Sequence, residues 1–224
     1  MDDPTATAAE IAQALRFIRL VNRRLGGTRA TLAPLRRWAR QWRPGETIRI
    51  IDIGTGSADI PAAIVDWAGA SDRSVQITAV DLHPVTLELA RRFAGGGRAA
   101  IEFVHADALR LMERFRPGSF DYAHAGMFLH HLSDEDVVAV LRIMDGLTTR
   151  GLIWNDLTRG RIERAAVRLM ALGLSAHVRH DATVSVAAGF TREEAMALAR
   201  RAGLRGVRYR RHLCGRFALT SEKS

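Results

Sequence analysis

Four aspartates stand where apolar runs end. Asp52 follows "IRII", Asp81 closes "VQITAVD", Asp107 closes "AAIEFVHAD" and Asp156 closes "GLIWND". A carboxylate offers two acceptor oxygens in one plane, which suits a pair of hydroxyls, an exocyclic amine or an ammonium group. Aspartate is also common at helix starts, where it caps free N–H groups. One such residue is uninformative; four, at successive strand ends, are not. Between the first two lies "DIGTGSADIP", with Gly54, Thr55 and Gly56 followed by another carboxylate, Asp59. After a further apolar run, "SFDYAHA", come two adjacent histidines, His130 and His131. A histidine titrates near neutrality, so it suits deprotonation of a phenol-like hydroxyl. Adjacent residues point different ways, so one of the pair faces a site while the other packs or caps.

The order of these residues implies the frame that holds them. Residues 8–42 show helical spacing (Ile11, Leu15, Ile18, Val21, then Leu32, Leu35, Trp38), broken into two helices by "LGG" at 25–27 and ended by Pro44-Gly45. Apolar runs then alternate with helical patterns: strands at 48–53, 75–81, 99–107, 119–125 and 151–156, helices at 58–69, 84–94, 107–115 and 134–147. "SDED" at 133–136 opens the last of these with a variant capping box. Residues 157–190 interrupt the rhythm with arginine-rich helical sequence. A capped helix at 191–202 and two final strands around Cys214-Gly215 complete the chain. Such repetition predicts an α/β fold: a mostly parallel sheet with helices on both faces and right-handed crossovers. Ligands of such sheets sit beyond the carboxyl ends of the strands, where strand order reverses. We expect residues 1–45 as a helical cap and 46–224 as the main domain with an inserted cap at about 157–190, together one unit.

The glycine loop is not a phosphate cradle. G-x-G-x-x-G needs its third glycine at position 59, and that position is Asp59, a charge repelled by a diphosphate. No Gly-Lys-Ser or Gly-Lys-Thr follows. A ligand with a sugar, a base, an amino group and a positive charge but no phosphate fits better. Asp81 would accept from ribose hydroxyls, Asp107 from an adenine amine, and Asp52 and Asp59 would lie near an ammonium group.

Here the chain resembles the class I S-adenosylmethionine-dependent methyltransferases. "DIGTGSA" is similar to that family's first motif, D/E-x-G-x-G-x-G, with Ala58 in place of the last glycine, a change expected to alter loop-on-helix packing slightly. "AVDLHP" and "VHADAL" are similar to the second and third motifs, and "FDYAHAGMFLHHLSDED" to the region after strand four in small-molecule members with a Leu-His-His stretch. The resemblance covers 46 to about 156. It implies a Rossmann-like seven-stranded sheet with the last strand inserted antiparallel. It implies S-adenosyl-L-methionine held by Asp52, Gly54, Thr55, Gly56, Asp59, Asp81, Leu82, Asp107, Ala108 and Ala125. By their chemistry His130, His131 and Asp156 are the candidate catalytic residues, the alternative being that either histidine merely positions the loop and the cofactor, as the stretch does in many relatives.

The acceptor is less defined. Exocyclic-amine methyltransferases of nucleic acids carry Asn/Asp-Pro-Pro-aromatic where this chain has "AGMF", and Cys214 is placed as a small core residue rather than a nucleophile. Asn155, Asp156, Asn22, Arg23 and the pair His180-Asp181 are further candidates, and Met127, Phe128, Leu169, Met170 and Leu172 could form an apolar pocket. The sequence after strand five looks like that of bacterial enzymes tailoring phenolic or polyketide-derived metabolites, so O-methylation is expected. No metal is expected. The net charge of +9 comes almost wholly from arginine, with Lys223 the only lysine. An RNA methyltransferase is the alternative this charge suggests, and a non-catalytic cofactor-binding protein is another. The arginines are spread over helical faces without interleaved aromatics, which argues against a nucleic-acid platform. One cysteine, no run of apolar residues long enough to span a bilayer and an acidic start fit a cytoplasmic monomer or homodimer.

Overall fold

The computed structural model describes residues 7–95, 99–160, 188–212 and 215–223. The strands are β1 (Thr47–Ile53), β2 (Ser74–Asp81), β3 (Ile101–His105), β4 (Phe120–Gly126), β5 (Thr148–Leu157), β6 (Arg208–His212) and β7 (Arg216–Glu222). They form one sheet in the order β3-β2-β1-β4-β5-β7-β6. β1 to β5 pair in parallel, and β7 runs antiparallel between β5 and β6. The helices are α1 (Ala8–Arg24), α2 (Gly27–Trp38), α3 (Asp59–Ala70), α4 (Pro84–Phe93), α5 (Leu111–Arg114), α6 (Asp134–Leu147) and α7 (Arg192–Arg201). The expected Rossmann-like seven-stranded architecture is therefore present, with the strand order reversing between β1 and β4.

Local chemistry sets the element ends. Thr7 and Glu10 form a capping box at the start of α1, and Thr191 and Glu194 do the same for α7. Ser133 caps α6, accepting from the Asp136 amide. Gly26, with φ 85°, lies in the left-handed region and breaks α1 from α2. β5 starts at Thr148, earlier than the expected 151, and residues 108–114 form a 3-10 turn followed by the short α5 rather than one continuous helix.

Strands β1 to β5 each feed two cores, because successive side chains point to opposite faces. Ile51, Ala123, Leu152 and Trp154 pack with Val137, Leu141 and Met144 of α6 and Leu198 of α7. Ile50, Tyr122 and Ile153 pack on the other face with Leu35 and Trp38 of α2 and Ile64 of α3. Trp38 stacks on Tyr122 with centroids 4.7 Å apart. α2 is thus a layer of the sheet's own core, while α1 reaches over the carboxyl ends of the strands. At the mouth of the inserted segment, Thr158 bridges to Phe190. Residues 161–187, which hold His180, Asp181, Leu169, Met170 and Leu172, lie outside the described residues, as does Cys214.

Candidate functional site

The carboxyl ends of β1 to β4 open into one cavity of about 450 Å³, within the range of roughly 300–1,000 Å³ usual for small-molecule sites. Its floor is the loop after β1. The Thr55 amide donates to the Val80 carbonyl at 2.9 Å, and the Gly56 amide donates to Asp81 Oδ2 at 2.9 Å, so the loop hangs from β2. Gly54 has φ +68°, and a Cβ there would lie 2.4 Å from the Phe128 ring; glycine alone satisfies both the backbone and the aromatic above it. Ala58 caps α3 with φ 52° and ψ 26° and is fully buried. The departure from glycine at this position is therefore one of backbone conformation, since the alanine adopts the left-handed geometry itself.

Asp59 opens α3 and is held on both oxygens, by Ser57 Oγ at 2.7 Å and by Asn22 Nδ2 at 3.0 Å. Asn22 comes from α1, whose Leu15 and Ile18 also line the cavity. Arg19 adds a bond to the Ser57 carbonyl at 3.3 Å. α1 is in this way laced to the glycine loop and roofs the site; Arg23 does not line it. Asp81 accepts from the Gly56 and His83 amides, one on each oxygen. Burial pushes its carboxyl above the ordinary aspartate value, outweighing those two bonds. Asp107 Oδ1 accepts from the Leu109 amide at 2.9 Å. Leu82 is 65% exposed where it faces the cavity, and Leu109 beside it is also exposed. Two exposed leucines flanking a carboxylate form a slot for a flat apolar ring with a polar edge.

The cavity is thus lined by Asp52, Gly54, Thr55, Gly56, Asp59, Asp81, Leu82, Asp107 and Ala108, as expected, and by His131, Met127 and Phe128. Ala125 is not in it. β4 alternates, and Ala123 and Ala125 point into the core with α6, so the cavity side of this strand is His124 and Gly126. His124 was not anticipated. Its imidazole is buried, with Nδ1 2.5 Å from Asp52 Oδ1 and Nε2 2.9 Å from Thr31 Oγ1.

Of the two histidines His131 faces the cavity and His130 packs, and neither His130 nor Asp156 lines it. Both are buried, behind His131, whose ring lies 4.1 Å from that of His130. They pair, His130 Nδ1 to Asp156 Oδ1, at 2.6 Å. Asp156 also accepts from the Trp154 indole and the Leu157 amide. Burial alone would raise its carboxyl, but His130 and these bonds outweigh burial and hold it below the usual range. As an ionised acceptor it fixes the proton on His130 Nδ1. Among the described residues, His130 Nε2 is buried with no hydrogen-bond partner. Asn155 faces α2 and bonds there, so it too stands apart from the cavity lining.

The lining could hold S-adenosylmethionine: Asp81 is placed to accept from ribose hydroxyls, Leu82 and Leu109 to flank an adenine with Asp107 at its edge, and, among the described residues, buried Thr55 Oγ1 and Asn22 Oδ1 have no hydrogen-bond partner.

Residues 50–151 match a family model described as a methyltransferase domain. No curated protein sequence matches the chain. Among solved structures, the chain is similar to PigF with S-adenosylhomocysteine bound, at TM-score 0.64 and 18% identity, over 97% of this chain and 60% of that one. It is similar to human N-acetylserotonin methyltransferase in complex with S-adenosylmethionine, at TM-score 0.64 and 13% identity, over 97% of this chain and 57% of that one. It is similar to magnesium protoporphyrin IX methyltransferase from Synechocystis with bound S-adenosylhomocysteine, at TM-score 0.61 and 13% identity, over 99% and 90%. The first two structures are thus considerably longer than this chain. The chain spans about 60% of the first of these structures. Residues 50–151 thus carry a methyltransferase-domain match on a fold shared with solved S-adenosylmethionine-dependent methyltransferases.

Proposed function

We propose that the protein moves the methyl group of S-adenosylmethionine to the hydroxyl of a small aromatic acceptor, phenolic or polyketide-derived, with His130 as general base. The observation that carries this reading is the unpartnered Nε2 of His130. Its other nitrogen is fixed on Asp156, the arrangement of a base held in its working tautomer by an acid. Leaving a buried nitrogen unsatisfied costs on the order of 1–3 kcal/mol, a cost removed when an acceptor O–H donates to it. His130 then takes that proton through Nε2, and the buried Asp156 carboxylate stabilises the imidazolium. The cofactor supplies an electrophilic methyl on a sulfonium sulfur. The chain's other residues hold and orient: Asp81 and Asp107 fix the nucleoside, and the glycine loop with Asp52 fixes the amino-acid end. His131, whose ring lies 4.1 Å from that of His130, lines the cavity with Met127 and Phe128, so the acceptor would enter past these side chains to reach the base. The acceptor in the human relative's name, N-acetylserotonin, is itself a small aromatic bearing a hydroxyl.

The test is transfer from methyl-labelled cofactor to a panel of phenols, amines, carboxylic acids and RNA. Methyl ethers of phenols are the expected product. Transfer confined to amines or RNA overturns the acceptor class. Tight cofactor binding without transfer to any acceptor favours a binding protein of the same fold.

A further inference from the structure

Five residues on β1, β4, β5 and α2 form one buried polar chain beneath the cavity. Asn155 Nδ2 lies 2.8 Å from the Gly27 carbonyl and 2.9 Å from Thr31 Oγ1. Thr31 Oγ1 lies 2.9 Å from His124 Nε2, and His124 Nδ1 lies 2.5 Å from Asp52 Oδ1. The directions of the bonds follow from the two ends of the chain. A carbonyl cannot donate, so Gly27 fixes the Asn155 amide with its NH2 toward Thr31. Thr31 oxygen therefore accepts, which leaves its single proton available. At the other end the Asp52 carboxylate can only accept, so His124 Nδ1 carries a proton, and in a neutral ring Nε2 then accepts from Thr31. Gly126 is part of the arrangement: a Cβ there would stand 2.7 Å from His124 Cε1, so glycine makes room for the ring.

We propose that His124 is a positioning residue for Asp52, holding one carboxylate oxygen so that the other is presented to the cofactor's ammonium group, and that Thr31 and Asn155 set its tautomer. The inference rests on the reading that the cavity holds S-adenosylmethionine. Among the described residues Asp52 makes no other side-chain hydrogen bond, and both it and His124 line the cavity. The device also couples the cofactor acid to α2, a helix with no residue in the cavity lining.

Asparagine and glutamine separate this role from mere packing. Asparagine at 124 places its amide nitrogen where His Nδ1 stood and still donates to Asp52. Glutamine places its nitrogen where Nε2 stood and donates to Thr31 instead. Calorimetry with S-adenosylhomocysteine is expected to give His124→Asn an affinity within about threefold of the parent and His124→Gln a loss of tenfold or more. Thr31→Val is expected to lose severalfold and Thr31→Ser to keep the parent value. Nitrogen NMR of the parent is expected to show His124 as the Nδ1–H tautomer. Equal affinities for the asparagine and glutamine variants, or an Nε2–H ring, overturn the proposal. Failure of the parent itself to bind S-adenosylhomocysteine would sink the cofactor reading instead, while the tautomer measurement would still decide the direction of the chain.

Discussion

The Gly56 amide donates to the Asp81 carboxylate at 2.9 Å, so the acid at the end of β2 shapes the glycine loop of β1 as well as facing the cavity. On the proposed reading Asp81 therefore acts twice, once on the ligand and once on the loop that receives it. Asp81→Ala removes both actions and leaves the Gly56 and His83 amides without their acceptor. Hydrogen bonds to charged groups contribute about 1.5–3 kcal/mol each. The affinity for S-adenosylhomocysteine, measured by calorimetry, is expected to fall by about a hundredfold or more on that scale. Asp107→Ala, which loses one contact at the adenine edge, is expected to cost about tenfold.

Cofactor binding is expected to weaken in mild acid. Burial raises the Asp81 carboxyl above the ordinary aspartate value of 3.8. Ribose hydroxyls donate to the ionised form, and protonation replaces an acceptor with a donor. As pH falls through the raised value, affinity drops by up to tenfold per pH unit. The fold favours protonated Asp81, so this group's contribution to stability moves the opposite way: it is greatest below 3.8 and is lost as pH rises through the folded value. A calorimetric pH series on the parent and on Asp81→Asn checks the pair, the variant being weak and flat across the same range.

Ala58→Gly is expected to stabilise the protein. The left-handed conformation costs an L-residue roughly 1–2 kcal/mol, and alanine holds it here at φ 52°. Glycine removes that strain but adds about 0.4–1 kcal/mol of unfolded-state entropy. The net gain is about 0.5–1 kcal/mol, a rise of roughly 1–4 °C in thermal midpoint for a chain of this size. A lower midpoint would show that the alanine methyl packs well enough to outweigh its backbone strain.

The fold and most of the cofactor side were legible because strand-helix alternation and the placing of acids at strand ends are local features. The errors have one physical source. Side chains in a strand alternate, and β4 was read without fixing its register. Tyr122 is apolar and faces α2, so His124 must share that face and Ala125 must not; the same step places Asn155 with Ile153, toward α2, and Asp156 with Trp154, on the opposite face. Applied to "DYAHAG" and "LIWND", the rule separates the two polar clusters, Asp52 with His124 on one face and His130 with Asp156 on the other. The pairing of His130 with Asp156 spans 26 positions and depends on a turn after β4 whose course no local pattern gives. The left-handed backbone at Ala58 was likewise hidden, since alanine carries no signal for it.

His130→Gln is expected to separate chemistry from binding. General-base catalysis contributes typically 10²–10⁴-fold, so kcat on a phenolic acceptor should fall within that range while the affinity for S-adenosylhomocysteine stays at the parent value. His131→Ala, at an exposed ring on the cavity wall, should change KM more than kcat. Asp156→Asn tests the other half of the pair. It leaves His130 without its ionised partner, and breaking a buried pair costs about 3–5 kcal/mol, so both kcat and stability fall at neutral pH. The sign of the pH dependence follows from the depressed Asp156 carboxyl. Its stabilisation is fully present above the unfolded value of 3.8 and is lost as pH falls through the lower folded value. The stability gap between parent and Asp156→Asn should therefore be widest near neutrality and close only in acid below 3.8. Chemical denaturation at pH 7 and in strong acid measures it. A gap that stays constant across that range would mean Asp156 is not held as the ionised partner of His130, and the assignment of His130 as base would lose its orienting group.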